Sequence, residues 1–117
     1  MPDAATLRSV YENTFKAVVA RTYSGTGARQ LFDILEDHKS DVQSTLQKVS
    51  GIVSYTLLRT GDGGMSITVC TDKEGADESL RVARDWIKNN ASSVNASPPD
   101  VSEGSVIVQF AEQALVQ

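Results

Sequence analysis

Hydrophobic positions along the chain alternate in some stretches and recur by threes and fours in others, and the switches between the two periods mark the elements. Residues 15–23, FKAVVARTY, are few and rich in β-branched and aromatic side chains, which predicts a first strand. Alternation puts Phe15, Ala17, Val19, Arg21 and Tyr23 on one face and Lys16, Val18, Ala20 and Thr22 on the other. At Ala28 the period changes. Ala28, Leu31, Leu35, His38, Val42 and Val49 form one helical stripe, widened by Phe32 and Leu46 and closed near Gly51. A single helix of that length would run for more than about 30 Å. Residues 52–60, IVSYTLLRT, predict a second strand, with Val53, Tyr55 and Leu57 facing away from Ile52 and Leu58. The GDGG step at 61–64 predicts a hairpin turn whose glycines accept positive φ. Residues 65–71 alternate cleanly, Met65, Ile67 and Val69 against Ser66, Thr68 and Cys70.

A second helix follows, with capping-box spacing in TDKE at 71–74. Its stripe is Ala76, Leu80, Ala83 and Ile87, flanked by Val82 and Trp86. The polar, proline-containing run 90–101 predicts a surface loop, and GSVIVQF at 104–110 a fourth strand. Upstream, 3–13 predicts a short helix capped by Asp3, with Leu7, Val10 and Tyr11 on one side. The order strand, helix, strand, strand, helix, strand is the split βαβ, or ferredoxin-like, α+β sandwich: a four-stranded antiparallel sheet with two helices on one face. The assigned parts are an N-terminal arm or helix at 1–14, the α+β domain at 15–110 and a tail at 111–117. The sheet face without helices is partly apolar, and an exposed patch of that kind predicts a homodimer packed sheet to sheet.

Composition narrows the function. The chain has 117 residues, 40% hydrophobic and 22% charged, which suits one globular domain. A formal charge of −4 argues against nucleic-acid partners, and Arg81, Arg84 and Lys88 lie among acids on one helix, as on a solvated face. Cys70 is the only cysteine, which excludes an intramolecular disulfide and fits a reducing, cytoplasmic setting. No secretory-leader pattern and no membrane-length apolar run is present.

TYSGTGARQLFD at 22–33 joins strand to helix through two glycines, as phosphate loops do. Gln30 stands where a dinucleotide loop needs its third glycine. Ala28 and Arg29 stand where a nucleotide-triphosphate loop needs Lys and a hydroxyl. The glycines therefore turn the chain, and Ser24 or Thr26 is expected to cap the helix. His38, the only histidine, falls on an apolar stripe and reads as a packed histidine without the partners a metal or general-base site needs. No metal and no cofactor is assigned. Cys70 precedes a helix start crowded with Asp72, Glu74, Asp77 and Glu78, which disfavours a thiolate. Arg21 and Tyr23 on the first strand and Tyr55 and Arg59 on the second are expected to gather at one end of the sheet. With Cys70 they are the candidate pocket-lining residues.

Three stretches carry a resemblance: VSGIVSYTLLRTGDGGMSITVCTDKEGADES at 49–79, ARDWIKNN at 83–90 and SEGSVIVQF at 102–110. With them, residues 15–110 resemble the dimeric α+β barrel superfamily of antibiotic-biosynthesis monooxygenases, and more closely a group of small uncharacterised bacterial proteins. The resemblance implies a homodimer with a cavity between each sheet and its helices. It places Trp86 at the helix tryptophan of cofactor-free oxygenases and haem-degrading relatives. Those relatives also use an Asn on the first strand, where this chain has Lys16, Ala17, Val18, Val19 and Ala20, with Asn13 before it. The haem-degrading branch has a His after its Trp, and this chain has none after His38. The expectation is a dimer that binds a small apolar or aromatic ligand, or a protein partner. The alternatives are a cofactor-independent monooxygenase acting on an aromatic through Trp86, Tyr55 and His38, and a haem binder through His38.

Overall fold

The computed structural model describes residues 16–110. The helix expected over 3–13, Phe15, Asn13 and the tail at 111–117 lie outside the described residues. The elements are β1 (Ala17–Tyr23), α1 (Ala28–Asp37), α2 (Lys39–Gln47), β2 (Ile52–Arg59), β3 (Gly64–Cys70), α3 (Lys73–Asn90) and β4 (Asp100–Ser105). The strands form one antiparallel sheet in the order β2-β3-β1-β4, the ferredoxin-like arrangement.

Register decides which side chains meet the helices. Ala17, Val19, Arg21 and Tyr23 of β1 stand opposite Cys70, Thr68, Ser66 and Gly64 of β3. These positions are buried, so the helices cover the more polar face of β3. Met65, Ile67 and Val69 join Val18, Ala20 and Thr22 on the other face. β2 carries a register shift between Ile52 and Ser54. This irregularity moves Ile52 onto the helix-covered face with Tyr55 and Leu57, and turns Val53 out to 40% exposure. The face assigned to Val53 from alternation is thereby corrected, because an extra residue resets a period of two.

The long helix expected from Ala28 is two helices. His38 has φ −115° and ψ 27°, outside the helical region, so α1 ends there and α2 starts at Lys39. The stripe survives the bend: Leu31, Phe32, Leu35, Val42 and Leu46 are all buried in one cluster with Tyr23 and Trp86. His38 does not share it. Its side chain is exposed, and Nδ1–H donates to the Ile34 carbonyl at 2.9 Å.

The first helix has no side-chain cap. Gly27 is its N-cap residue, at φ 79°, so neither Ser24 nor Thr26 fills that role. A side chain at Gly27 would meet Ala96 Cα and the Asn95 carbonyl at 2.7 Å, and Ser97 N–H donates to the Thr26 carbonyl at 3.0 Å. The segment after α3 thus packs on this turn, and Ala91 is buried. It is less of a free surface loop than its polarity implied. Gly63 and Gly64 of the hairpin serve space rather than positive φ: Gly64 leaves room for the Phe32 ring, which meets Tyr23 edge to face at 5.8 Å. α3 is capped by Asp72, whose Oδ1 accepts from Gly75 N–H at 2.8 Å. The cap sits one residue past Thr71, and Gly75 at the third position rules out the reciprocal bond of a capping box.

The largest departure is β4. It spans Asp100–Ser105, directly after Pro98-Pro99, and every residue in it is exposed. Ile107 and Phe110, expected inside a strand at 104–110, are 95% and 83% exposed. Backbone pairing to β1 holds β4 in place, extended by Val106 N–H donating to the Lys16 carbonyl at 3.2 Å.

Candidate functional site

Arg21, Tyr23, Tyr55 and Trp86 meet between the sheet and the helices. They line a small cavity of about 20 Å³ with Leu35, Val42, Leu46, Leu57, Ser66, Ala83 and Ile87. That space is the scale of one water molecule. The first strand supplies Arg21 and Tyr23 two residues apart on its covered face, β3 supplies Ser66 opposite Arg21, and β2 supplies Tyr55 opposite Thr68. Trp86 comes from the buried face of α3.

Two hydrogen bonds tie polar groups of this pocket. Arg21 Nη2 donates to the Tyr23 hydroxyl, and its guanidinium lies 5.2 Å from the Tyr23 ring centroid. Trp86 Nε1–H donates to Asp41 Oδ2 at 2.7 Å, tying α3 to α2. Burial raises the Tyr23 phenol above its usual range, opposed by the positive charges of Arg21 and Arg84. Burial pushes Tyr55 up to about 12, with Arg21 opposing and Tyr23 adding. Both phenols keep their protons at neutral pH and can donate hydrogen bonds.

A larger cleft of about 560 Å³ opens beside edge strand β2, between it and α1–α2. Phe32, Leu35, Val42, Leu46, Val49, Ile52 and Leu57 give it an apolar floor, and Glu36, Lys39, Gln43, Gln47 and Arg59 rim it. Its volume falls in the range of small-molecule sites. The cleft and the inner cavity share Leu35, Val42, Leu46, Tyr55 and Leu57, which form the wall between them.

Three candidates lie elsewhere. Arg59 is drawn to α1, where it pairs with Asp33 at 3.0 Å and Glu36 at 3.2 Å, and it borders the cleft rather than the inner pocket. Cys70 is 0% exposed in a separate small cluster with Ala17, Val19 and Ala76, so it lines neither space. Burial raises its thiol, a Ser79 hydrogen bond opposes, and Asp72 adds to the rise. His38 sits outside at the α1–α2 bend, its ring 6.0 Å from that of Trp86 and edge-on to it. Among the described residues, no three His, Cys, Asp or Glu side chains converge as a metal set, and no helix is long and apolar enough to cross a membrane. Ser66 and Asp41 escaped sequence reasoning. Strand register alone would have put Ser66 against Arg21, whereas Asp41 reaches Trp86 only because the helix bends at His38.

The sequence matches no family model and no curated protein. Solved structures do match in shape. A protein of unknown function from Nitrosomonas europaea aligns with a TM-score of 0.64 at 18% identity, over 86% of this chain and 97% of that one. A dimeric ferredoxin-like protein from an uncultured marine organism aligns at 0.55 and 12% identity, over 87% and 96%. A monooxygenase from Streptomyces coelicolor, solved with nanaomycin D, aligns at 0.54 and 17% identity, over 86% and 93%. At these identities the likeness concerns the fold: this chain has the ferredoxin-like α+β fold of those proteins.

Proposed function

We propose that the protein is a homodimeric binder of a small apolar or aromatic molecule, with the cleft beside β2 as the entrance. The observation that carries this reading is the shared wall: a cleft of about 560 Å³ with an apolar floor backs directly onto buried Arg21, Tyr23 and Trp86 and half-buried Tyr55. The dimer is argued from the sheet face that carries no helix among the described residues. Val18, Ala20, Leu58, Met65 and Ile67 form a half-buried apolar strip there, and packing a second copy on it would remove the remaining surface from water. One structural neighbour is itself dimeric.

A second reading, a monooxygenase-like enzyme acting on an aromatic, has in its favour Trp86 and Tyr55 in one pocket and a monooxygenase among the structural neighbours. It asks for turnover that Trp86→Phe abolishes.

Native mass spectrometry of the gently purified chain tests the main reading. The expected result is a dimer with added mass from a retained small molecule. A bare monomer would overturn both the dimer and the covered face on which it rests.

A further inference from the structure

The inner pocket holds an unbalanced charge. Among the described residues Arg21 is its one charged lining residue, and it is 8% exposed. A guanidinium cannot give up its proton in a protein. Among the described residues, the ion pairs formed by carboxylates go to Arg59, Lys73 and Arg81, and none to Arg21. Its described hydrogen-bond partner is the neutral Tyr23 hydroxyl. The other polar groups at the cavity are Tyr55, Ser66 and the Trp86 indole, and the indole N–H is already given to Asp41. A buried cation without a counter-charge is destabilising, and an anion brought beside it from outside would relieve that cost.

We infer that the inner pocket receives the carboxylate of an apolar monocarboxylic acid, gripped by the Arg21 fork and the Tyr23 and Tyr55 hydroxyls, while the acid's apolar body lies in the cleft beside β2. The inference rests on the ligand-binding reading above and names its ligand class. The planar fork of Arg21 matches a carboxylate with two parallel hydrogen bonds. A neutral alcohol of the same shape would leave the cation unmatched. The two phenols are protonated at neutral pH, so each has a hydrogen to give to an anion. The cavity of about 20 Å³ is too small for a carboxylate as it stands. Entry therefore moves the wall, which consists of the Tyr55 ring, Leu35, Leu57 and the two buried residues of α2, Val42 and Leu46. Trp86 lies against that wall and is the only tryptophan, so its emission reports the event.

The test titrates the full chain with decanoate and, separately, with decan-1-ol, following Trp86 fluorescence and heat of binding. The expected result is that decanoate binds at least about tenfold more tightly than the alcohol, the scale of a charge-assisted hydrogen bond. In Arg21→Met the preference disappears while the alcohol's affinity holds, and the melting temperature of the free protein rises because an unmatched buried charge has gone. Arg21→Lys keeps the charge without the fork and retains part of the preference, which carries the test if the Met variant fails to fold. Equal affinity of the native protein for the two probes would overturn the carboxylate inference and leave the pocket reading standing. Binding of neither probe would overturn both. A preference that persists in Arg21→Met, or a melting temperature that falls there, would mark Arg21 as structural and reject the inference.

Discussion

Trp86 joins packing to polar bonding at one residue. Its ring is buried in the main core cluster, and its N–H leaves that cluster to reach Asp41 on α2. A hydrogen bond to a charged acceptor is among the stronger ones in a protein. Trp86→Phe keeps an aromatic ring and loses that bond, and stability should fall by about 1–3 kcal/mol in urea titration. A double-mutant cycle with Asp41→Ala should show coupling between the two, since each change removes the same bond. Tyr55 carries a pH prediction. Its folded pKa stands near 12 against an ordinary 10.0, because burial disfavours the phenolate. The folded state therefore binds this proton more tightly than the unfolded state. The contribution is whole below pH 10 and is lost as pH rises from 10 through 12. Over that window the native protein should lose roughly 2–3 kcal/mol that Tyr55→Phe does not lose. Phenolate absorbance and denaturant midpoints at each pH would measure both.

Two elements owe their boundaries to backbone events rather than to side-chain pattern. The bulge in β2 exchanges the roles of Ile52 and Val53. Ile52→Ala should cost about 1–2 kcal/mol, because a partly buried side chain leaves both core clusters. Val53→Thr should stay within about 0.5 kcal/mol, as at an exposed site. Plain alternation through 52–60 groups Val53 with Tyr55 and Leu57 and expects the reverse order, so paired melting curves decide it. β4 is the second case. Its six residues are DVSEGS, none of them buried, and its energy comes from pairing with β1. No pattern of apolar residues could announce such a strand. The bend at His38 belongs here as well: it sets α2 at the angle from which Asp41 meets Trp86 and Val42 and Leu46 close the inner pocket.

At the scale of the whole molecule the sheet has two unlike faces. One is covered by helices and holds Arg21, Ser66, Thr68 and Cys70. The other bears Val18, Ala20, Ile67 and Val69 and carries no described helix. The hydrophobic effect favours covering the second face, which is the physical case for a dimer. Ile67→Glu would set a charge at the middle of that contact, where desolvation costs most. Sedimentation should then show a monomer that keeps its circular-dichroism spectrum. A dimer unaffected by Ile67→Glu would place the contact elsewhere.

The local periods in the chain determined β1, β2, β3 and α3, the antiparallel order that follows from them, and the glycine turn between β1 and α1. Each of those features is read within a window of a few residues, where side-chain period and turn chemistry act. Residue pattern also marked Arg21, Tyr23, Tyr55 and Trp86 as candidates. Tertiary structure alone decided that these four converge while Arg59 and Cys70 do not. Arg59 was drawn off by Asp33 and Glu36, and Cys70 was carried to the far end of the same register. It also decided which face of β3 the helices cover, and it put His38 in solvent. Those outcomes depend on which strand neighbours which, on one extra residue in β2 and on one non-helical residue between α1 and α2. Such long-range pairings and single-residue backbone shifts leave no trace in a local period, because the period records only which residues share a side and not what stands opposite.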